Sequence, residues 1–170
     1  MLQELTPGSV VAERFEVERL AGSGGMGAVY RVFDRWTEQP VALKVLFDGA
    51  DKARFAREAL LLAELSHPGI VGYVSHGHLD GGSPFLAMQW LSGHDLAERL
   101  RHGGLNLKET LQLARRVAEA LSVAHQRGVV HRDAYRFSMT CFLVGHFRSQ
   151  RRRNKPCPLT AAVTASLALT

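Results

Sequence analysis

Leu20-Ala21-Gly22-Ser23-Gly24-Gly25-Met26-Gly27-Ala28-Val29-Tyr30, followed after a turn by Val41-Ala42-Leu43-Lys44, is the stretch on which the fold is decided. Phe15, Val17 and Arg19 alternate with Glu16, Glu18 and Leu20 before the glycines, and Val29, Tyr30, Val32 and Phe33 follow them. Both flanks read as strands, so the glycines form the turn of a hairpin. Glycines bring backbone N–H groups close to a ligand and admit unusual dihedrals, which suits a phosphate. A dinucleotide-binding turn has a similar spacing but needs a helix directly after the glycines, and Ala28 to Phe33 is β-rich instead.

Outward from the hairpin, Thr37-Glu38-Gln39-Pro40 is a turn and Val41 to Phe47 a third strand. Asp51 to Ser66 reads as a helix with Phe55, Ala59, Leu62 and Leu65 at helical spacing, stopped by His67-Pro68-Gly69. Ile70 to His76 and Phe85 to Trp90 are two further strands around the turn-rich Leu79 to Pro84. These elements assemble as a five-stranded antiparallel sheet with one helix. The texture then becomes helical, with Asp95 to Arg101 and a longer helix from Leu107 to Arg127. Leu107, Leu111, Ala114, Ala118 and Leu121 form its stripe, Asn106 and Glu109 a capping-box start, and Gly128 its stop.

At 170 residues and 46% hydrophobic content the chain has enough apolar material for a real core. The net charge of +5 is unevenly placed. Residues 1–133 hold 15 basic against 16 acidic side chains, whereas residues 134–170 hold six basic side chains and no acid. Cys141 and Cys157 both lie in that last segment and make neither a zinc pattern nor a disulfide framework, so a reducing, cytoplasmic setting is expected. Met1 to Leu5 lacks the charged and apolar regions of a signal peptide, and the weakly apolar stretch from Leu159 to Leu169 is too short to span a bilayer. His76 and His78 stand two apart with no third ligand nearby, so no metal site is expected there.

Lys44 lies between Leu43 and Val45 in a buried-looking strand, where an ammonium needs a carboxylate partner. Glu58 is the candidate, three residues after Phe55 and four before Leu62 on the apolar face of its helix. The ordinary alternative has Lys44 facing solvent and Glu58 as a solvated acid. Farther along stands His131-Arg132-Asp133.

Glycine loop, strand lysine, helix acid and His-Arg-Asp in that order resemble the eukaryotic-type protein kinase family, from about Glu13 to Asp133. The wording of the loop, with Leu65-Ser66-His67-Pro68-Gly69-Ile70-Val71, is similar to bacterial serine/threonine kinases. The resemblance implies an α+β protein-kinase-like small lobe followed by the first helices of a truncated helical lobe. It divides the chain into a lead (1–12), small lobe (13–91), start of the large lobe (92–133) and an aberrant, disordered basic tail (134–170).

The resemblance implies ATP as cofactor and a protein hydroxyl as acceptor. Gly22, Gly24 and Gly27 would cover the phosphates, with Leu20 a further nucleotide contact, and Val29 and Ala42 would enclose the adenine. Lys44 would hold the α- and β-phosphates and Glu58 would orient Lys44. Met88 would be the gatekeeper, backbone groups of Gln89 to Leu91 would read the adenine edge, Asp95 would lie near the ribose, and Asp133 would accept the acceptor hydroxyl's proton.

Mg²⁺ is expected for the family, but its usual ligands are missing here. The position five after Asp133 is Ser138 rather than asparagine, and no Asp or Glu follows Asp133. The chain as written is therefore expected to be inactive, its composition and motif failing together at residue 134 as in a shifted reading frame or truncated product. A non-catalytic pseudokinase fragment acting as a nucleotide-binding or regulatory module is the alternative. A basic nucleic-acid-binding protein is disfavoured by the near-neutral first 133 residues.

Overall fold

In the computed structural model, the described residues are 5–131, apart from 26, 49, 94 and 95, together with 167–168. Strands β1 (Val10–Val11), β2 (Phe15–Gly24), β3 (Gly27–Asp34) and β4 (Gln39–Leu46) precede helix α1 (Lys52–Glu64). Strands β5 (Tyr73–His78) and β6 (Pro84–Gln89) follow, then helices α2 (Leu96–Arg101) and α3 (Leu107–Gln126). The first six strands form one antiparallel sheet in the order β1-β2-β3-β4-β6-β5. A separate two-stranded pair joins β7 (Val130–His131) to β8 (Leu167–Ala168). Apart from β8, the segment expected to be a basic tail lies outside the described residues.

Alternation along the strands assigns each face of the large sheet. Phe15 and Val17, Ala28, Tyr30 and Val32, Val41, Leu43 and Val45, and Phe85 and Ala87 all enter one core cluster. The sheet buries this face by curling on itself. The Phe15 and Phe85 rings meet edge to face with centroids 6.0 Å apart. Their strands are three places apart in the sheet, about 14 Å if it were flat. Leu5 and Leu79 also pack into this core.

The opposite face carries Leu46 of β4 and Leu86 and Met88 of β6, which pack with Phe55, Ala59 and Leu62 of α1. Asp51 caps α1 by accepting a hydrogen bond from the Arg54 N–H at 2.9 Å. The last turn of α1 contains no basic residue, and the terminal carbonyl of Glu64 instead accepts a 2.8 Å hydrogen bond from Arg127 Nη1. Ala120 of α3 joins the α1 core, and a Cβ on Gly69 would stand 3.2 Å from the Ala120 Cβ, so two small residues set this close approach.

Helix α3 begins with the reciprocal capping box of Asn106 and Glu109. At its other end Gly128 has φ +72°, its N–H bonds to the His125 carbonyl, and the Val129 N–H bonds to the Ala124 carbonyl. This paired closure turns the chain sharply into β7.

The structure differs from the sequence expectation in several places, among them Gln39 and Pro40, which pair within β4 instead of forming a turn. The sheet has six strands, because Val10–Val11 pairs with Phe15 and Glu16 at its edge. Strand β5 starts at Tyr73, since the Ile70 N–H turns back to the His67 carbonyl. The stripe on α3 is not its buried face: Leu107 is 76% and Leu111 61% exposed, while Ala120 and Ala124 are buried. Among the described residues no helix is long and apolar enough to cross a membrane.

Candidate nucleotide site

The site lies on the face of the sheet that α1 covers only in part. Helix α1 packs over Leu46 of β4 and Leu86 and Met88 of β6, whereas Ala21 and Val29 on the β2–β3 side form with Ala42 a separate cluster that marks the candidate groove. Pairing aligns its side chains in rows. Gly22 of β2 is opposite Val29 of β3, Val29 opposite Lys44 of β4, and Lys44 opposite Leu86 of β6. One row toward the glycine turn stand Gly24, Gly27 and Leu46; one row the other way stand Arg19, Arg31, Ala42 and Met88.

The glycines in the turn do different work. A Cβ at Gly27 would lie 2.3 Å from the Val45 carbonyl oxygen, so this glycine lets β3 and β4 pair closely. A Cβ at Gly24 or Gly25 would meet no protein atom within 4 Å, and neither residue has positive φ. Internal packing therefore does not require glycine at these two positions. A ligand drawn close to their backbone would.

Lys44 is 7% exposed and points to the helix-bearing face, with Nζ 5.6 Å from the Phe55 ring centroid. The solvent-facing alternative for Lys44 does not hold. Glu58 follows Phe55 by three residues on the same flank of α1, and its side chain is 12% exposed. Arg54 Nε approaches Glu58 Oε1 at 3.6 Å.

Val29 and Ala42 form a small buried cluster with Ala21, against which Trp90 packs. Leu20 is not part of it and is 47% exposed. The register of β2 slips between Leu20 and Gly22, which leaves Ala21 as an extra residue without a cross-strand partner and sends its side chain to the groove. Ala21 thus takes the place expected for Leu20.

Met88 is buried under α1. Of the Gln89–Leu91 segment, the Gln89 N–H is already occupied, donating to the Gly72 carbonyl at 2.8 Å. Asp95 and Asp133 lie outside the described residues. Among those residues no cluster of three or more His, Cys, Asp or Glu side chains is arranged to hold a metal. The sequence does not single out Ala21, because a bulge inverts alternation, and it includes Trp90 only as the end of an expected strand and within the Gln89–Leu91 backbone segment.

A curled antiparallel sheet with one packed helix, a glycine turn over a groove and an inward lysine define the small lobe of a phosphoryl-transfer fold. Comparison with known proteins agrees. Residues 15–134 match the protein kinase domain family. The chain is 38% identical over 132 residues to the serine/threonine-protein kinase pkn3 of Myxococcus xanthus, covering 74% of this chain and 24% of that protein. It is 39% identical over 138 residues to the serine/threonine-protein kinase PknJ of Mycobacterium bovis, covering 78% and 23%. The crystal structure of the Mycobacterium tuberculosis PknI kinase domain superposes with a TM-score of 0.65 at 36% identity, covering 77% of this chain and 55% of that one. The chain belongs to the protein kinase domain family, in the company of bacterial serine/threonine kinases. It spans about a quarter of the length of these curated relatives.

Proposed function

We propose that this chain binds ATP in the groove between the glycine turn and α1, and that as written it binds nucleotide without transferring phosphate. The supporting observation is the row Gly22–Val29–Lys44–Leu86, which carries a shielded ammonium beside a turn whose Gly24 and Gly25 have no internal reason to be glycine. Residues 13–91 act as the small lobe and 92–133 as the start of the large lobe.

When bound, ATP supplies the transferable γ-phosphoryl group. The backbone from Gly22 to Gly27 lies along the phosphates, and Lys44 balances their charge from the strand below. Glu58 on α1 orients Lys44, so the seating of α1 on β4 and β6 sets the position of the ammonium. Ala21, Val29 and Ala42 enclose the base, excluding water from its faces. Asp133 occupies the position that, in an active member of the family, would take the proton of a protein serine or threonine hydroxyl.

Phosphoryl transfer asks the protein for positioning and for charge that offsets the phosphates, to which bound metal contributes. Ser138 stands where a metal-binding asparagine is expected, and residues 134–170 contain no carboxylate. A nucleotide-binding, non-catalytic module acting on a partner fits this combination.

The test is to incubate the purified chain with γ-labelled ATP, Mg²⁺ and a serine-rich acceptor protein, following retained nucleotide and transferred label together. Retention with no transfer above the protein-free blank is expected. Transfer would contradict the non-catalytic reading, and no retention would contradict the binding reading.

A further inference from the structure

Helix α1 carries Phe55 and Glu58 toward Lys44, so whatever holds α1 also sets that corner of the groove. Its first turn is capped from within by Asp51. Its last turn has no basic residue, and Glu64 adds its own negative charge to the unsatisfied carbonyls that collect there. The missing cation comes from 63 residues farther along, where Arg127 Nη1 donates to the Glu64 carbonyl at 2.8 Å.

Helix α3 meets this end of α1 at a second place. Ala120 packs into the α1 core, and Gly69, in the turn after α1, comes so close that a Cβ there would stand 3.2 Å from the Ala120 Cβ. Seven residues, or two helical turns, separate Ala120 from Arg127, which places them on one side of α3 about 10 Å apart. One contact alone lets a packed helix rock about it, whereas two at this spacing fix its angle. The contact at Ala120 is apolar and has no direction of its own. The contact at Arg127 is a charge-assisted hydrogen bond to a carbonyl that points along the α1 axis.

Arg127 also stands at the junction toward His131-Arg132-Asp133. It is the C-cap of α3, its N–H bonds to the Ala124 carbonyl, and Gly128 at φ +72° turns the chain from it into β7. One side chain therefore ties the helix that carries Glu58 to the segment that leads in sequence to Asp133.

We infer that Arg127 is a positioning residue of the nucleotide site: from the end of α3 it holds the carbonyl end of α1, and through α1 it holds Glu58 and Phe55 at Lys44. This rests on the reading of the groove as a nucleotide site. Glu58 lies six residues before Glu64, about 9 Å along the helix, so releasing that end changes how Glu58 approaches Lys44. Arg127 acts through α1 and not on the nucleotide.

Arg127 is exposed, so Arg127→Gln, which keeps the stem but loses the charge and the reach, leaves the fold intact. Equilibrium dialysis should show ATP bound about two- to fivefold more weakly, the factor that a charge at a helix end is worth. Arg127→Lys should recover most of that affinity, because a single donor is used and an ammonium on a long stem still reaches the carbonyl. In a Glu58→Gln background Arg127→Gln should have no further effect, since groups that act in series do not add. Asn106→Ala is the control for stability alone: it removes the cap at the opposite end of α3, should lower the melting temperature, and should leave ATP affinity unchanged. Retained ATP with the same affinity in Arg127→Gln, no recovery in Arg127→Lys, an equal loss in the Glu58→Gln background, or an equal loss in Asn106→Ala overturns this inference alone. No retained ATP in the parent chain overturns the nucleotide site and this inference with it.

Discussion

Gly27 sits so close to the Val45 carbonyl oxygen that a Cβ there would be 2.3 Å from it. The atom it would strike is backbone, so neither strand can yield by turning a side chain. Gly27→Ala should therefore part β3 from β4 and destabilise the chain by about 1–3 kcal/mol, the usual cost of forced overpacking. Gly24→Ala and Gly25→Ala meet nothing within 4 Å and should leave thermal unfolding unchanged while weakening ATP. Melting curves and ATP titrations of the three variants check this division.

Val29 is buried against Ala21 and Ala42, whereas Leu20 is half exposed and pairs with Tyr30, whose side chain belongs to the opposite face. Val29→Ala removes two carbons from the base-enclosing surface, about 1.5 kcal/mol or roughly tenfold in ATP affinity at most. Leu20→Ala should change affinity less than about twofold. Calorimetric titration of both variants distinguishes a groove lined by Ala21 and Val29 from one that includes Leu20.

Asp34 is fully buried and held by Arg14 through two hydrogen bonds of 2.7 Å each, with Thr37 Oγ1 and the Trp36 N–H as further donors. The Arg14 hydrogen bonds, opposed by burial and helped by Thr37 and Trp36, hold its carboxyl well below the usual carboxylate range. A depressed folded-state pKa means that the stabilisation is complete above the unfolded value of about 4 and is lost as pH falls below it. Urea unfolding between pH 7 and pH 2.5 should show this decline. Asp34→Asn should flatten that part of the acid dependence and cost about 3–5 kcal/mol at neutral pH, since it strands Arg14.

Leu107 and Leu111 remain 76% and 61% exposed on one side of α3. Apolar surface of this kind promotes association. The double variant Leu107→Gln, Leu111→Gln should lower the apparent mass at high concentration in sedimentation analysis without lowering the melting temperature. Ala120→Gln, at a buried position on the same helix, should unfold the α1–α3 contact instead.

Much of the small lobe was legible because its signals are periodic. Phe15 and Val17 alternate with acids, Phe55, Ala59 and Leu62 recur at helical spacing, and Asn106 with Glu109 spells a capping box. What escaped was aperiodic. A two-residue edge strand at Val10–Val11 is too short to carry a pattern, and the bulge that sends Ala21 rather than Leu20 to the groove reverses the alternation that a reader relies on. Asp34 looks like a turn residue until Arg14, twenty positions earlier, is seen to hold it. The leucines of α3 advertise a buried stripe, yet the contact with α1 runs through Ala120, whose small size permits it and makes it inconspicuous. Lys44 could be proposed as inward from its neighbours, but only the seating of Phe55 over it resolves the two alternatives.

The proposed role of the groove beside the inward Lys44 is ATP binding. The most direct test is the thermal shift of the purified chain on adding ATP, with and without Mg²⁺, beside a Lys44→Met variant of matched unfolding temperature. ATP should raise the parent's melting temperature, and the variant should lose most of that rise. An equal rise in both proteins, or none in a folded parent, would contradict it.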